Sequence, residues 1–173
     1  MAAKTLKVYE GKIQSLKANQ VFVFGSNLRG FHGAGSAGDA SFGVEGNKWR
    51  DFEYDKKPHG WKGKWNVKGV GRGFQQGTEG ASYALPTVVA PGMLKSIGAS
   101  DLENNIVEFY HFAFEHPELE FLVAYSATGG TPILNGYTID NMAYFFGVQP
   151  CIPLNVVFEK QFISLVHCRR GDV

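Results

Sequence analysis

Two short stretches of this chain have the residue types to hold an anion. Gly33-Ala34-Gly35-Ser36-Ala37-Gly38 follows the apolar run VFVFGSN at 21–27, and Ala127-Thr128-Gly129-Gly130-Thr131 follows LEFLVAY at 119–125. Small residues let main-chain N–H groups approach a ligand closely, and a helix starting after such a loop turns its positive end toward negative charge. Two loops of this build hold a diphosphate between them without lysine; the plainer use of the same glycines is tight turns and close packing. Gly33, Gly35 and Gly38 satisfy G-x-G-x-x-G only formally, because no acidic residue ends a second strand about 20 residues later. The Lys-Ser/Thr pair of a P-loop is missing as well.

Three side chains near the loops have chemistry of their own. Asn27 closes the first apolar run, with Gly25 and Ser26 leading into it; its amide suits a sugar hydroxyl or a water, or else caps the turn. His32 directly precedes Gly33, and an imidazole titrates near neutral pH, so it is a candidate acid or base as well as an ordinary turn histidine. Glu79, with Gln75 in the glycine-punctuated segment GRGFQQGTEG, is a candidate base or a solvated loop carboxylate.

The elements that would position these groups follow from pattern. LKVYEGKI (6–13) alternates like a short strand, while 21–27, 82–90 and 119–125 read as strands buried on both faces. Pro86 suits a strand end better than a central ladder position. Ser100 and Glu103 form a capping-box pattern ahead of Leu102, Ile106, Phe109, Tyr110 and Ala113 at helical spacing, with Pro117 as the stop. Thr138 or Asp140 opens a second helix that Gly147 would close. LNVVF (154–158) is a further strand, followed by a terminal helix to about Val166. Strands alternating with helices predict an α/β fold, a three-layer α/β/α sandwich around a mixed central sheet.

Composition bounds the rest. At 173 residues, 44% hydrophobic and 19% charged, the chain is one globular domain spanning 1–173 and not a disordered one. Lys and Arg number 17 against 16 Asp and Glu, too even a balance for a general nucleic-acid or membrane-surface binder. Glycine is the outlier at 22 residues. Cys151 and Cys168 are too few for a disulfide framework or a cysteine zinc site and read as reduced thiols. The histidines show no metal-ligand spacing, so neither a metal nor a cofactor is expected. The opening MAAKTLKVYEGK has no apolar signal region, and no apolar run approaches the ~18 residues of a membrane span. A cytoplasmic protein without a membrane partner is the expectation.

Several segments in order resemble the macro domains. KVYEGKIQSLKANQVFVFGSN is similar to their opening, where a Gly-Asp-Ile turn precedes a buried strand ending in asparagine. GAGSAGDA resembles their first ligand loop, in the form seen in the branch that removes ADP-ribose from DNA and glutamate. SYALPT, ATGG and NGYTIDNMAYFF resemble the strand, second phosphate loop and helix that follow, so the likeness runs from about residue 7 to 160. FGSNLRGFHGAGSA is also similar to small macro-like proteins of bacteria and phages. The resemblance implies ADP-ribose, free or attached to a macromolecule, with its diphosphate between Ala34–Ala37 and Thr128–Thr131. It places the distal ribose near Asn27, and the adenosine near Gly11–Ile13 and Asn155–Phe158, with Phe158 stacked on the base.

Departures from the pattern qualify the activity. Lys12 stands where the family's turn has the acidic residue that recognises the adenine amine, and a lysine cannot accept that hydrogen bond. Ala37 stands where one branch has a catalytic aspartate; Asp39 comes two residues later. No match to the other branch's catalytic lysine is evident. Binding of an ADP-ribose-like ligand therefore ranks ahead of hydrolysis of an ADP-ribosyl linkage, and a non-catalytic sensor or sequestering module is the alternative. Residues 45–72 form a polar, aromatic insertion in which eight basic residues face four acidic ones, with Trp49, Trp61 and Trp65 interleaved. Such a segment suits a lid, or stacking and phosphate contacts with single-stranded nucleic acid, the less favoured partner.

Overall fold

Val21, Phe22, Val23 and Phe24 are apolar toward both faces of the chain, so their strand needs a neighbour on each edge and a packed layer on each face. A computed structural model, which describes residues 6–29, 37–40, 72–77, 80–90, 93, 96–125 and 137–170, supplies both. Six strands form one sheet: β1 (Val8–Tyr9), β2 (Gln20–Asn27), β3 (Gly73–Gln76), β4 (Ala81–Val88), β5 (Glu120–Val123) and β6 (Val156–Glu159). Their order is β1-β6-β5-β2-β4-β3, with every neighbouring pair parallel except β4 and β3. The helices are α1 (Ala99–Glu115), α2 (Ile139–Gly147) and α3 (Lys160–Arg170), with a helical turn at 37–40. The fold is mixed α/β with a mostly parallel sheet.

Alternation along the strands divides the core. Val21 and Val23 of β2, Phe121 and Val123 of β5, and Val156 and Phe158 of β6 share one cluster with Leu102, Ile106 and Phe109 of α1, Met142 and Phe146 of α2, and Phe162 of α3. Phe22 and Phe24, together with Ala84, Leu122 and Val157, point the other way and meet Ile13 and Ala40. Among the described residues, all three long helices thus cover one face. The segment after β1 and the turn at 37–40 cover the other.

Local expectations and structure differ at informative places. The capping box at Ser100 does not form: α1 begins two residues earlier than that cap would place it, with Gly98 as N-cap and no side-chain cap. The box belongs to α2, where Thr138 Oγ1 accepts from Asn141 N at 3.0 Å and Asn141 Oδ1 accepts from Thr138 N at 3.1 Å. Gly147 is the last residue of α2, and Val148, in a right-handed conformation, is the C-cap. Segment 73–76, taken above for a glycine-rich loop, is β3. Its last partner on β4 is Ala84, so Pro86 lies beyond that ladder, where its missing N–H costs no pairing toward β3.

Asn155 holds the amino edge of the sheet. Its Nδ2 donates to the carbonyls of Ala113, His116 and Leu119 at 2.9, 3.0 and 3.0 Å, tying the end of α1 to the start of β6. By contrast, Ser82 Oγ, fully buried in β4, has no partner among the described residues.

Urea denaturation should show opposite effects at these two polar residues. Asn155→Ala, which removes a donor shared by three carbonyls, two of which keep a backbone partner, costs about 1–3 kcal/mol. Ser82→Ala removes an unsatisfied hydroxyl and leaves stability unchanged or raises it by up to about 1 kcal/mol; a larger loss than that would mean the hydroxyl has a partner.

Candidate functional site

Five of the six strands are parallel, so the carboxyl ends of β1, β6, β5, β2 and β4 share one edge. β2 and β5 are adjacent, in register from Gln20 opposite Glu120 to Val23 opposite Val123, and Ala124 N donates to Val23 O at 2.9 Å. From β2 the chain runs toward β3 and β4; α1 then carries it across to β5, and from there it moves away to β6. Connections that diverge from two neighbouring parallel strands leave a crevice above their carboxyl ends, the usual ligand site of such sheets. Both glycine-rich loops begin at this pair of strands.

The residues singled out from sequence fall into three groups. Asn27, Ser26 and Gly25 end β2 at this edge. Asn27 and Ser26 are buried, and the register shifts between them opposite β4. Thr87 Oγ1 donates to Ser26 O at 3.3 Å, which braces the shift. Ala37 opens the helical turn at 37–40 and packs, half-buried, against the Phe22–Phe24 cluster. Gly33, Ala34, Gly35, Ser36, Ala127, Thr128, Gly129, Gly130 and Thr131 lie outside the described residues, as do His32, Glu79 and the insertion up to residue 71.

Two expectations are corrected by position. Phe158 has no exposed surface; its ring packs at 5.5 Å from Phe146 and 5.7 Å from Phe162, so it offers no face to a base. Asn155, at the amino end of β6, caps α1 on the opposite edge from Asn27.

Periodicity gave no sign of the polar groups that brace the edge. Lys12 Nζ lies 3.3 Å from Asp39 Oδ2, an ion pair joining the turn after β1 to the helical turn after the first glycine loop. Glu159, buried at the carboxyl end of β6, accepts from Gly11 N at 3.4 Å and from Gln161 N at 2.6 Å, and so fixes that same turn to the start of α3. Tyr9 OH donates to the last carbonyl of β5, that of Val123; burial, reinforced by the Glu159 carboxylate, pushes its phenol well above the ordinary range.

A cleft of about 360 Å³ opens on the helix side of the edge, between Leu28, Arg72, Val89, Asp101, Asn105 and Glu108. Arg72 donates to Glu108 Oε2 and Asn105 Oδ1, both at 3.1 Å, and Asn105 Nδ2 donates to Pro86 O at 3.1 Å. The Arg72 cation thus braces α1 against the start of β3, and Asn105 braces it against β4. Tyr83 lies near this bridge, its phenol pushed up to about 12 by burial and then by the Glu108 carboxylate, with Arg72 acting the other way.

A phenol whose folded pKa is raised from 10 to about 12 stabilises the fold fully below pH 10 and loses that contribution as pH climbs toward 12. Stability should fall over that window by on the order of 2 kcal/mol from this residue, and Tyr83→Phe should flatten the fall in denaturation curves taken between pH 9 and 12. In comparisons with known proteins, no family profile, no curated protein and no solved structure matches the chain.

Proposed function

We propose that this chain is a macro-like binder of ADP-ribose or a related ADP-ribosyl nucleotide, its diphosphate held by main-chain N–H groups from the loops after β2 and β5. The parallel β2–β5 ladder carries this reading: it starts both glycine-rich loops from neighbouring strands at one edge, above a point where the connections diverge. Main-chain donors suit a diphosphate in a chain of almost no net charge. The macro-like order of motifs, the asparagine at the end of β2 and the six-strand mixed sheet support the same assignment. Asn27 holds the distal ribose, and His32 and Glu79 are the candidates for acid or base.

Binding is favoured over hydrolysis. Ala37 replaces the aspartate of one macro branch, and the nearby Asp39 is buried and paired with Lys12. The nucleic-acid alternative rests on the insertion, of which Arg72 alone is described, and that guanidinium is committed to Glu108 and Asn105.

Calorimetry tests the reading. ADP-ribose should bind the purified protein, and Asn27→Ala should weaken it about tenfold, the equivalent of one or two lost hydrogen bonds. A folded protein that gives no heat with ADP-ribose, NAD or cyclic ADP-ribose would remove the proposal. Turnover of ADP-ribosylated protein or DNA that Asn27→Ala abolishes would extend the function to hydrolysis.

A further inference from the structure

We propose that the cleft of about 360 Å³ beside α1 is a binding site of its own, for a neutral polyhydroxyl compound such as a single sugar ring, and not for an ion. The nucleotide reading above is not needed for it, and every group that builds it is among the described residues. Its volume is at the small end of the ~300–1,000 Å³ usual for ligand sites, the size of one small molecule. Leu28, about half exposed at 46%, forms an apolar wall with Val89 and Ile97. Asp101, Asn104, Asn105 and Glu108 recur at three- and four-residue steps, so one face of α1 supplies the polar wall.

What the cleft offers a ligand is set by which polar groups are already used. Asn105 is buried and engaged, its Oδ1 accepting from Arg72 and its Nδ2 donating to Pro86 O. Arg72 gives two N–H groups to Glu108 Oε2 and Asn105 Oδ1, which leaves three of its five donors. Ser96 Oγ accepts from Val89 N at 2.8 Å and keeps its hydroxyl hydrogen to donate. Asp101 and Asn104 are exposed and have no hydrogen-bond partner among the described residues, and Glu108 keeps Oε1. Free donors and free acceptors thus meet in one cleft. Charge there is close to balanced. Arg72 answers Glu108 at 3.1 Å, and Asp101 lies in the first turn of α1, whose amino end has no side-chain cap and carries partial positive charge. An anion would face Asp101 and Glu108, and a cation would face Arg72 and the helix end. A hydroxyl both donates and accepts, so neighbouring hydroxyls on one ring match this mixture without bringing a charge, and the C–H face of the ring suits the apolar wall.

NMR titration of the backbone amides of the full chain tests this with D-glucose, D-ribose and two charged relatives of glucose, gluconate and glucosamine. Glucose or ribose should give saturable shifts at the amides of Ile97, Asp101, Asn104 and Glu108, and both charged relatives should bind about fivefold more weakly or not at all. Asp101→Ala and Asn104→Ala, at exposed positions where the melting transition should match the wild type, should each weaken the sugar about fivefold, the equivalent of one lost hydrogen bond. Glu115→Ala, which removes a carboxylate at the far end of α1, should leave binding unchanged. The shifts should persist in the presence of excess ADP-ribose. No saturable shift with either sugar, a charged relative that binds as tightly as glucose, or cleft variants that bind like the wild type would each overturn the inference. Displacement of the sugar by ADP-ribose would overturn it too, by assigning the cleft to the nucleotide site, and would leave the proposed function standing.

Discussion

The parallel pairing of β2 with β5 is the constraint on which the rest of the molecule depends. β2 is apolar on both faces, and Val21, Phe22, Val23 and Phe24 are all at most 2% exposed. A strand of that composition must lie in the middle of a sheet, with β5 on one edge and β4 on the other. A parallel neighbour cannot be reached by a tight turn, so the connections must cross over the sheet, and α1 does so between β4 and β5. One packing demand therefore fixes both the buried layer of helices and the gathering of strand ends at a single edge.

The two edges use their polar groups differently. At the amino edge, Gln20, Glu120 and Lys7 form an exposed hydrogen-bonded set, and Asn155 collects three carbonyls at the end of α1. These contacts close the fold. At the carboxyl edge, buried Asp39, Glu159, Thr87 and Asn105 each hold a loop or turn in place: Asp39 the turn at Lys12, Glu159 the amide of Gly11, Thr87 the irregular end of β2, Asn105 the last residues of β4 and Arg72. Most buried polar groups are satisfied, and here the partners are the segments that border the crevice. The carboxyl edge is thereby made stiff from beneath.

Much of the element list was legible locally. Runs such as VFVF and EFLV announce central strands, and Leu102, Ile106, Phe109 and Ala113 announce the buried face of α1, because side-chain periodicity reports burial directly. Helix ends were less legible. Ser100 with Glu103 and Thr138 with Asn141 both look like caps, and packing chose which was used: α1 starts at Ala99, which places Ser100 inside the helix. β3 was not legible at all, since Gly73–Gln76 has no strong alternation and becomes a strand only because β4 has an open edge to pair with.

From its residues alone this chain determined a two-sided central strand, helices with one apolar stripe, and glycine-rich loops after two strands, since each depends on neighbours a few positions apart. Tertiary structure alone decided which strand lies beside which, and with it the worth of each candidate. It set Asn27 and the turn at Lys12 on one edge, moved Asn155 to the other, and closed Phe158 into the core. Outside the β3–β4 pair, strand order and register arise from contacts between residues 35 or more positions apart, such as Val23 with Val123 and Val8 with Phe158, and no local pattern encodes them.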